Sequence, residues 1–178
     1  MKKNQTHPAA ATSKNMLAQG LMDLLHQKSF QDITITELCA SSQIARRTFY
    51  RNFDVIEDVI SYYVSEVMHE FLLDMNARQN ESKQEITAAY FTFWNRYKDM
   101  LVILTQNNLI HILFTDYIKS LFMLPSLLGE PKTETISPSA FNCRISYVGG
   151  GLWSVLTYWV VHGCEETPEE ISFMLSGM

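Results

Sequence analysis

Apolar residues recur along this chain at helical spacing. Met16, Leu17, Leu21, Leu24 and Leu25 lie three and four residues apart and predict an amphipathic helix over Ser13–Gln27. Phe30 and Ile33 follow as core contacts in a connection. Thr34 then offers a hydroxyl to free amides, and Glu37 three residues later completes a capping box that opens a second helix. The chain turns at Ser41–Gln43, and a short third helix runs from Ala45 to Asn52. From Ile56 to Leu72 the helical period is unbroken, which predicts a long helix over Val55–Leu73. Gln79–Gln84 is a polar break, after which Glu85–Tyr97, Met100–Gln106 and Leu109–Leu124 read as three more helices. Pro125–Ser139 carries Pro125, Gly129, Pro131 and Pro138 and reads as a long, mobile loop. Ala140–His162 is a long helix that Gly163 stops, and Thr167-Pro168-Glu169-Glu170 opens a last short one. No segment reads as a strand, so the expected fold is all-α with about nine helices.

The segment 34–53 carries the chemistry. Its inward positions are Ile35, Leu38, Cys39, Ile44, Phe49 and Phe53, and the last two share one face of the third helix. That geometry turns Arg46, Arg47, Tyr50 and Arg51 outward. Three arginines on one short exposed helix repel each other unless an anion lies opposite. In a DNA major groove they reach guanine edges bidentately, or phosphates. Thr48 and Tyr50 can bond phosphate oxygens, and Thr34 and Thr36 sit where free helix amides attract one. A helix-turn-helix used only for packing is the bland alternative.

Charge supports the groove reading. The net charge is −5, yet residues 1–53 hold seven basic and three acidic residues, while 54–178 hold seven basic and sixteen acidic ones. A basic end and an acidic remainder fit a chain that meets phosphate at one end only. Lys2 and Lys3 lie in a polar tail that either touches a groove or has no role.

Residues 15–60 resemble the DNA-binding domain of the TetR family of bacterial transcription regulators. The resemblance rests on Thr34-Ile35-x-x-Leu38, Ile44-Ala45-x-x-Thr48-Phe49-Tyr50-x-x-Phe53 and Glu57. It implies base or phosphate contacts at Thr34, Thr36, Arg46, Arg47, Thr48, Tyr50 and Asn52, to which the charge argument adds Arg51. The stretch Tyr147–Trp153, with Trp159 and Glu165–Glu170, is similar to the C-terminal half of a short Gram-positive-type branch. Three positions depart from the family pattern. Gln43 stands where the turn usually has glycine, and Ala45 replaces a capping serine or threonine. No lysine occurs near Asp54–Ile56, where the family often contacts phosphate; Arg51 or Lys14 is a candidate substitute.

The expected organisation is a flexible tail over 1–12, a helix-turn-helix domain over 13–54 and a helical ligand-binding and dimerisation domain over 55–178. Two copies are needed to grip a near-palindromic operator, because one short helix meets too few phosphates. Ser146, Gly150 and Ser154, spaced by four, form a small-residue stripe assigned to the dimer face together with the last helix; packing within the subunit is the alternative. In the family the aromatic middle encloses an effector pocket, for which the candidates are Trp94, Tyr97, His111, Phe114, Tyr117 and Trp153. His111, alone among apolar residues, also reads as a hydrogen-bonded core histidine.

Other classes fit less well. Cys39, Cys143 and Cys164 are scattered and odd in number, which argues against disulfides or zinc and for a reducing cytoplasm. No nucleophile elbow, zinc-protease motif or phosphate-cradling glycine loop is present, so neither an enzyme nor a cofactor is expected. The N-terminus has no apolar run behind its lysines and does not read as a signal peptide. Ile145–Cys164 lacks Asp, Glu, Lys and Arg, but its glycines, serines and His162 suit close packing better than lipid. The expected function is a dimeric repressor released by an apolar or aromatic small molecule. The alternative is a regulator or co-activator whose C-terminal domain responds to a protein.

Overall fold

The computed structural model describes residues 8–78, 80–124 and 137–176, and the regular structure in them is entirely helical. The all-α expectation is met. Among the described residues the α-helices are α1 (Pro8–Leu25), α2 (Ile35–Ser41), α3 (Arg46–Asn52), α4 (Ile56–Asn76), α5 (Lys83–Arg96), α6 (Lys98–Gln106), α7 (Ile110–Leu121), α8 (Pro138–Val161) and α9 (Pro168–Leu175). One 3-10 turn, Phe30–Asp32, joins α1 to α2. Most of the proline-rich stretch, residues 125–136, lies outside the described residues, as do Lys2 and Lys3.

Helix boundaries differ from the periodicity where capping chemistry outruns the apolar pattern. The tail assigned to 1–12 is helical from Pro8, where proline at the first position and the alanines behind it favour a helix start. α5 starts at Lys83, since Ser82 and Glu85 form a reciprocal capping box. α8 starts at Pro138 behind Ser137, whose hydroxyl accepts from the Ala140 amide at 3.2 Å.

The chain divides into two compact units, one of residues up to Glu66 with Ile103–Ile112, the other of Val67–Val102 with Leu113 onward. In the first, α1 packs on α2 and α3, and α2 packs on α3. Leu17, Leu21, Leu38 and Phe49 of these helices and Val59 of α4 are buried in this unit. α1 approaches the α2–α3 turn so closely that a methyl on Gly20 would overlap the Ser42 hydroxyl. The 103–112 segment joins this unit through the Asn107 side chain, which accepts from the Phe30 amide at 2.8 Å.

The second unit is built round aromatic rings. Phe71 lies 5.2, 5.3, 5.8 and 6.2 Å from Phe93, Trp94, Tyr90 and Tyr117, centroid to centroid. The Tyr90 hydroxyl donates to Tyr117 at 3.4 Å, and Tyr117 donates to the Gly149 carbonyl at 2.9 Å. Burial pushes both phenols well above their ordinary pKa. A methyl on Gly149 would overlap the buried Leu121 side chain, so a larger residue there would force Leu121 to shift. α9 packs on α5, where the Ser172 hydroxyl donates to the Gln84 carbonyl at 2.8 Å. No helix among the described residues is long and apolar enough to cross a membrane.

Candidate nucleic-acid interface

α2 is held by its own ends. The Thr34 hydroxyl accepts from the Glu37 amide at 3.2 Å, and the Glu37 carboxylate accepts from the Thr34 amide at 3.0 Å and hydroxyl at 2.8 Å. Lys28 adds a 2.7 Å ion pair to the same carboxylate. The Lys28 ammonium and the Thr34 donors lower the Glu37 pKa from 4.5 to about 2. The Thr34 hydroxyl proton is thus committed to Glu37, whereas Thr36 is exposed one position into the helix.

The turn is closed by backbone geometry. Gln43 takes a left-handed φ of 55°, which lets the Gln43 amide reach Ala40 O at 3.2 Å and the Ile44 amide reach Cys39 O at 2.9 Å. These two bonds are the Schellman pattern that normally selects glycine. A non-glycine there costs on the order of 1 kcal/mol. Ala45 precedes α3 in extended geometry and makes no side-chain cap, as its missing hydroxyl predicts.

α3 presents two unlike faces. Phe49 is fully buried, 5.4 Å from the Tyr50 ring and 6.1 Å from Phe53. Arg46, Arg47, Tyr50 and Arg51 are exposed, and among the described residues no carboxylate lies within ion-pair distance of the three arginines. Thr48 and Asn52 are half-buried, and the Asn52 amide donates to the Thr48 carbonyl at 2.9 Å. A short helix with an apolar root and an unneutralised guanidinium surface is suited to a polyanion.

The start of α4 is closed by its own acid. The Asp58 carboxylate accepts from the amides of Asp54 at 2.9 Å and Val55 at 3.1 Å. A phosphate at those amides would have to displace it. Lys14, from α1, lies over the rings of Phe53 at 5.6 Å and Tyr62 at 5.2 Å.

The other candidates divide. Trp94 and Tyr117 are fully buried in the ring cluster, while Trp153 is half-buried, 5.1 Å from both Phe114 and Tyr117. Phe114 is partly exposed, and the Tyr97 hydroxyl donates to Glu70 at 2.5 Å. His111 falls in the first unit, exposed, its Nδ1 2.9 Å from the Asn108 carbonyl. It is not a core histidine: Asn108 turns left-handed at φ 58° just before α7 and leaves His111 in the solvent-facing first turn.

On α8, Ser146 and Ser154 are exposed and Gly150 half-buried, whereas Gly149 faces inward. The exposed stripe is wider and more apolar than the small residues alone indicate. Tyr147 is 84 % exposed, and Tyr158 and Val161 continue that face, as do Phe173 and Met174 on α9. A groove of about 490 Å³ lies beside it, lined by Ile86 of α5, Tyr147, Gly150 and Val155 of α8 and Leu175 of α9. Among the described residues no group of three or more His, Cys, Asp and Glu side chains is placed to hold a metal ion.

Neither a family model nor a curated protein sequence matches the chain. Solved structures do. "Dihydroxyacetone kinase operon activator DhaS" superposes with TM-score 0.67 at 14% identity, covering 93% of this chain and 92% of that one. The transcriptional regulator FadR from Bacillus subtilis, solved with stearoyl-CoA, gives 0.67 at 17% identity, covering 92% and 98%. The fatty acid degradation regulator FadR from Bacillus halodurans gives 0.63 at 19% identity, covering 96% and 94%. At these identities the likeness establishes a shared fold over nearly the whole chain.

Proposed function

We propose that the chain is a dimeric, DNA-binding transcription regulator of TetR type, in which α3 lies in the major groove of a near-palindromic operator. The observation that carries this reading is the unneutralised guanidinium face of α3 above buried Phe49. Arg46 and Arg47 read base edges, while Thr36, Thr48, Tyr50, Arg51 and Asn52 position the helix on phosphates. Thr34 takes part through its backbone end of α2, with its hydroxyl held by Glu37. The two copies meet through α8 and α9, along Ser146, Gly150, Ser154 and the exposed Tyr147–Val161 face. The fold shared with regulators over more than nine-tenths of the chain supports the reading.

The regulator acts as a cytoplasmic repressor that an apolar or aromatic effector releases. The effector enters beside Phe114 and Trp153 and contacts Trp94, Tyr97 and Tyr117; one similar structure was solved with stearoyl-CoA. The coupling runs along α4, whose residues belong to both units. A double substitution, Arg46→Ala with Arg47→Ala, tests the DNA reading by fluorescence polarisation on a duplex selected from random sequence. At about 1–3 kcal/mol per base-reading arginine, affinity falls at least about 30-fold with the melting temperature unchanged. Unchanged affinity removes α3 from the groove.

A second reading has its own observation. The exposed Tyr147, Tyr158, Val161, Phe173 and Met174 form an apolar face that a partner protein would also cover. On that reading the protein is a regulator or co-activator answering to another protein. A monomer in solution that binds no apolar ligand would favour it.

A further inference from the structure

We infer that Lys14 clamps a phosphate of the DNA backbone, extending the DNA-binding surface from α3 onto α1. The inference rests on the DNA-binding reading above and adds a contact to it. Its starting point is electrostatic. Among the described residues the first unit holds five lysines and arginines: Lys14, Lys28, Arg46, Arg47 and Arg51. Lys28 is spent on Glu37 at 2.7 Å. The three arginines belong to α3. Lys14 is the cation left over, with no carboxylate of the described residues within ion-pair distance.

Lys14 is also held in place. Its ammonium lies over the Phe53 ring, which closes the C-terminal end of α3, and over the Tyr62 ring of α4. The Tyr62 hydroxyl donates to Asn15 at 2.6 Å and so ties α4 to the residue next to Lys14. Ring faces attract an ammonium without neutralising it. A lysine fixed this way loses less freedom on meeting a phosphate than one waving in solvent.

Two acids flank the Tyr62 ring. Asp58 and Glu66 lie one turn either side of Tyr62 on α4. Asp58 already accepts from two amides at the start of α4, and this bars a phosphate from those amides. A phosphate near the α3–α4 junction is therefore met by side chains, Arg51 from the last turn of α3 and Lys14, which the fold brings there from α1.

The salt dependence of DNA binding tests this. Wild type, Lys14→Met, Lys14→Gln and Lys14→Arg are titrated between about 50 and 200 mM salt. Each is measured on the selected duplex and on a random-sequence duplex. The expected result for Met and Gln is a slope of log affinity against log salt that is shallower by about 0.9 per subunit. The loss is equal on both duplexes, melting temperatures are unchanged, and Lys14→Arg retains the wild-type slope. An unchanged slope in Lys14→Met overturns the inference while leaving α3 in the groove. Loss of the fold in both Met and Gln variants assigns Lys14 to packing and also overturns it. A wild type that binds neither duplex ends the inference and the reading beneath it together.

Discussion

α3 and α8 are both helices with one buried face and one exposed face, but they expose opposite chemistry. α3 roots itself with Phe49 and Phe53 and offers arginines to solvent. α8 buries Ile145, Leu152, Leu156 and Trp159 and offers Tyr147, Tyr158 and Val161. A cluster of like charges without a counter-charge repels itself modestly in water and attracts an opposite charge, so it marks a place for an anion. Apolar surface without cover costs free energy in water directly, so it marks a place for another apolar surface. The two helices thus point to different partners by the same logic of what each leaves unsatisfied.

The contrast is sharpest if each buried face is broken in turn. Phe49→Ala removes a fully buried ring beneath the arginines. It should cost about 3–5 kcal/mol, read as a fall in denaturation midpoint, and DNA binding should vanish with the fold. A variant that melts like wild type would show that α3 stands without its root. Gly149→Ala is the matching change in α8. The new methyl overlaps Leu121 and should cost about 1–3 kcal/mol.

The exposed side of α8 behaves differently. Among the described residues nothing beyond its own stretch of helix lies within 4 Å of a methyl built on Gly151. Gly151→Ala should therefore stabilise the isolated helix by up to about 1 kcal/mol, and sedimentation at graded concentration should show a weaker dimer if the partner copy approaches there. A dimer constant unmoved by Gly151→Ala, and by Tyr158→Glu beside it, would take the interface away from this face.

A pH titration separates the helix ends that carry capping boxes. The Glu37 carboxylate is held at about 2 against an ordinary 4.5. A folded-state pKa below the unfolded value adds stability that is fully present above 4.5 and is lost as pH falls toward 2. Glu85 and Glu170, in the boxes of α5 and α9, are shifted down by the same kind of bond. Glu37→Gln should flatten the acid limb of the stability curve in that window without altering stability's dependence on pH near neutrality. An acid limb identical to wild type would show that the α2 box is not populated.

Much of this was legible in residue patterns, and what was not has physical causes. Thr34-x-x-Glu37 announced the α2 box, and Thr167-Pro168 announced α9. Ser82-x-x-Glu85 is the same signal, hidden inside a polar break, and Ser137-Pro138 repeats the α9 start inside a proline-rich stretch. Local chemistry was present in each case, but composition around it pointed to loop. The inward set of α3 and its outward arginines followed from spacing alone. The bond between Phe30 and Asn107 did not, because partners 77 residues apart share no local pattern. His111 sits among apolar residues in sequence, but its side chain is exposed one turn after the left-handed Asn108, which no local pattern announces. The position of Lys14 over Phe53 and Tyr62 likewise depends on three helices meeting.

The smallest effect tests whether the α2–α3 turn contributes geometry or contacts. Gln43 is exposed and left-handed at φ 55°. Gln43→Gly relieves strain on the order of 1 kcal/mol, but glycine also widens the unfolded ensemble by about 0.4–1 kcal/mol. The two terms oppose, so the denaturation midpoint should rise by a few tenths of a kcal/mol or stay level. DNA affinity should not change, since the Schellman bonds that aim α3 are backbone bonds that glycine keeps. A drop in affinity at constant stability would mean that the Gln43 side chain itself meets the operator, and the reading surface would then extend from α3 into the turn.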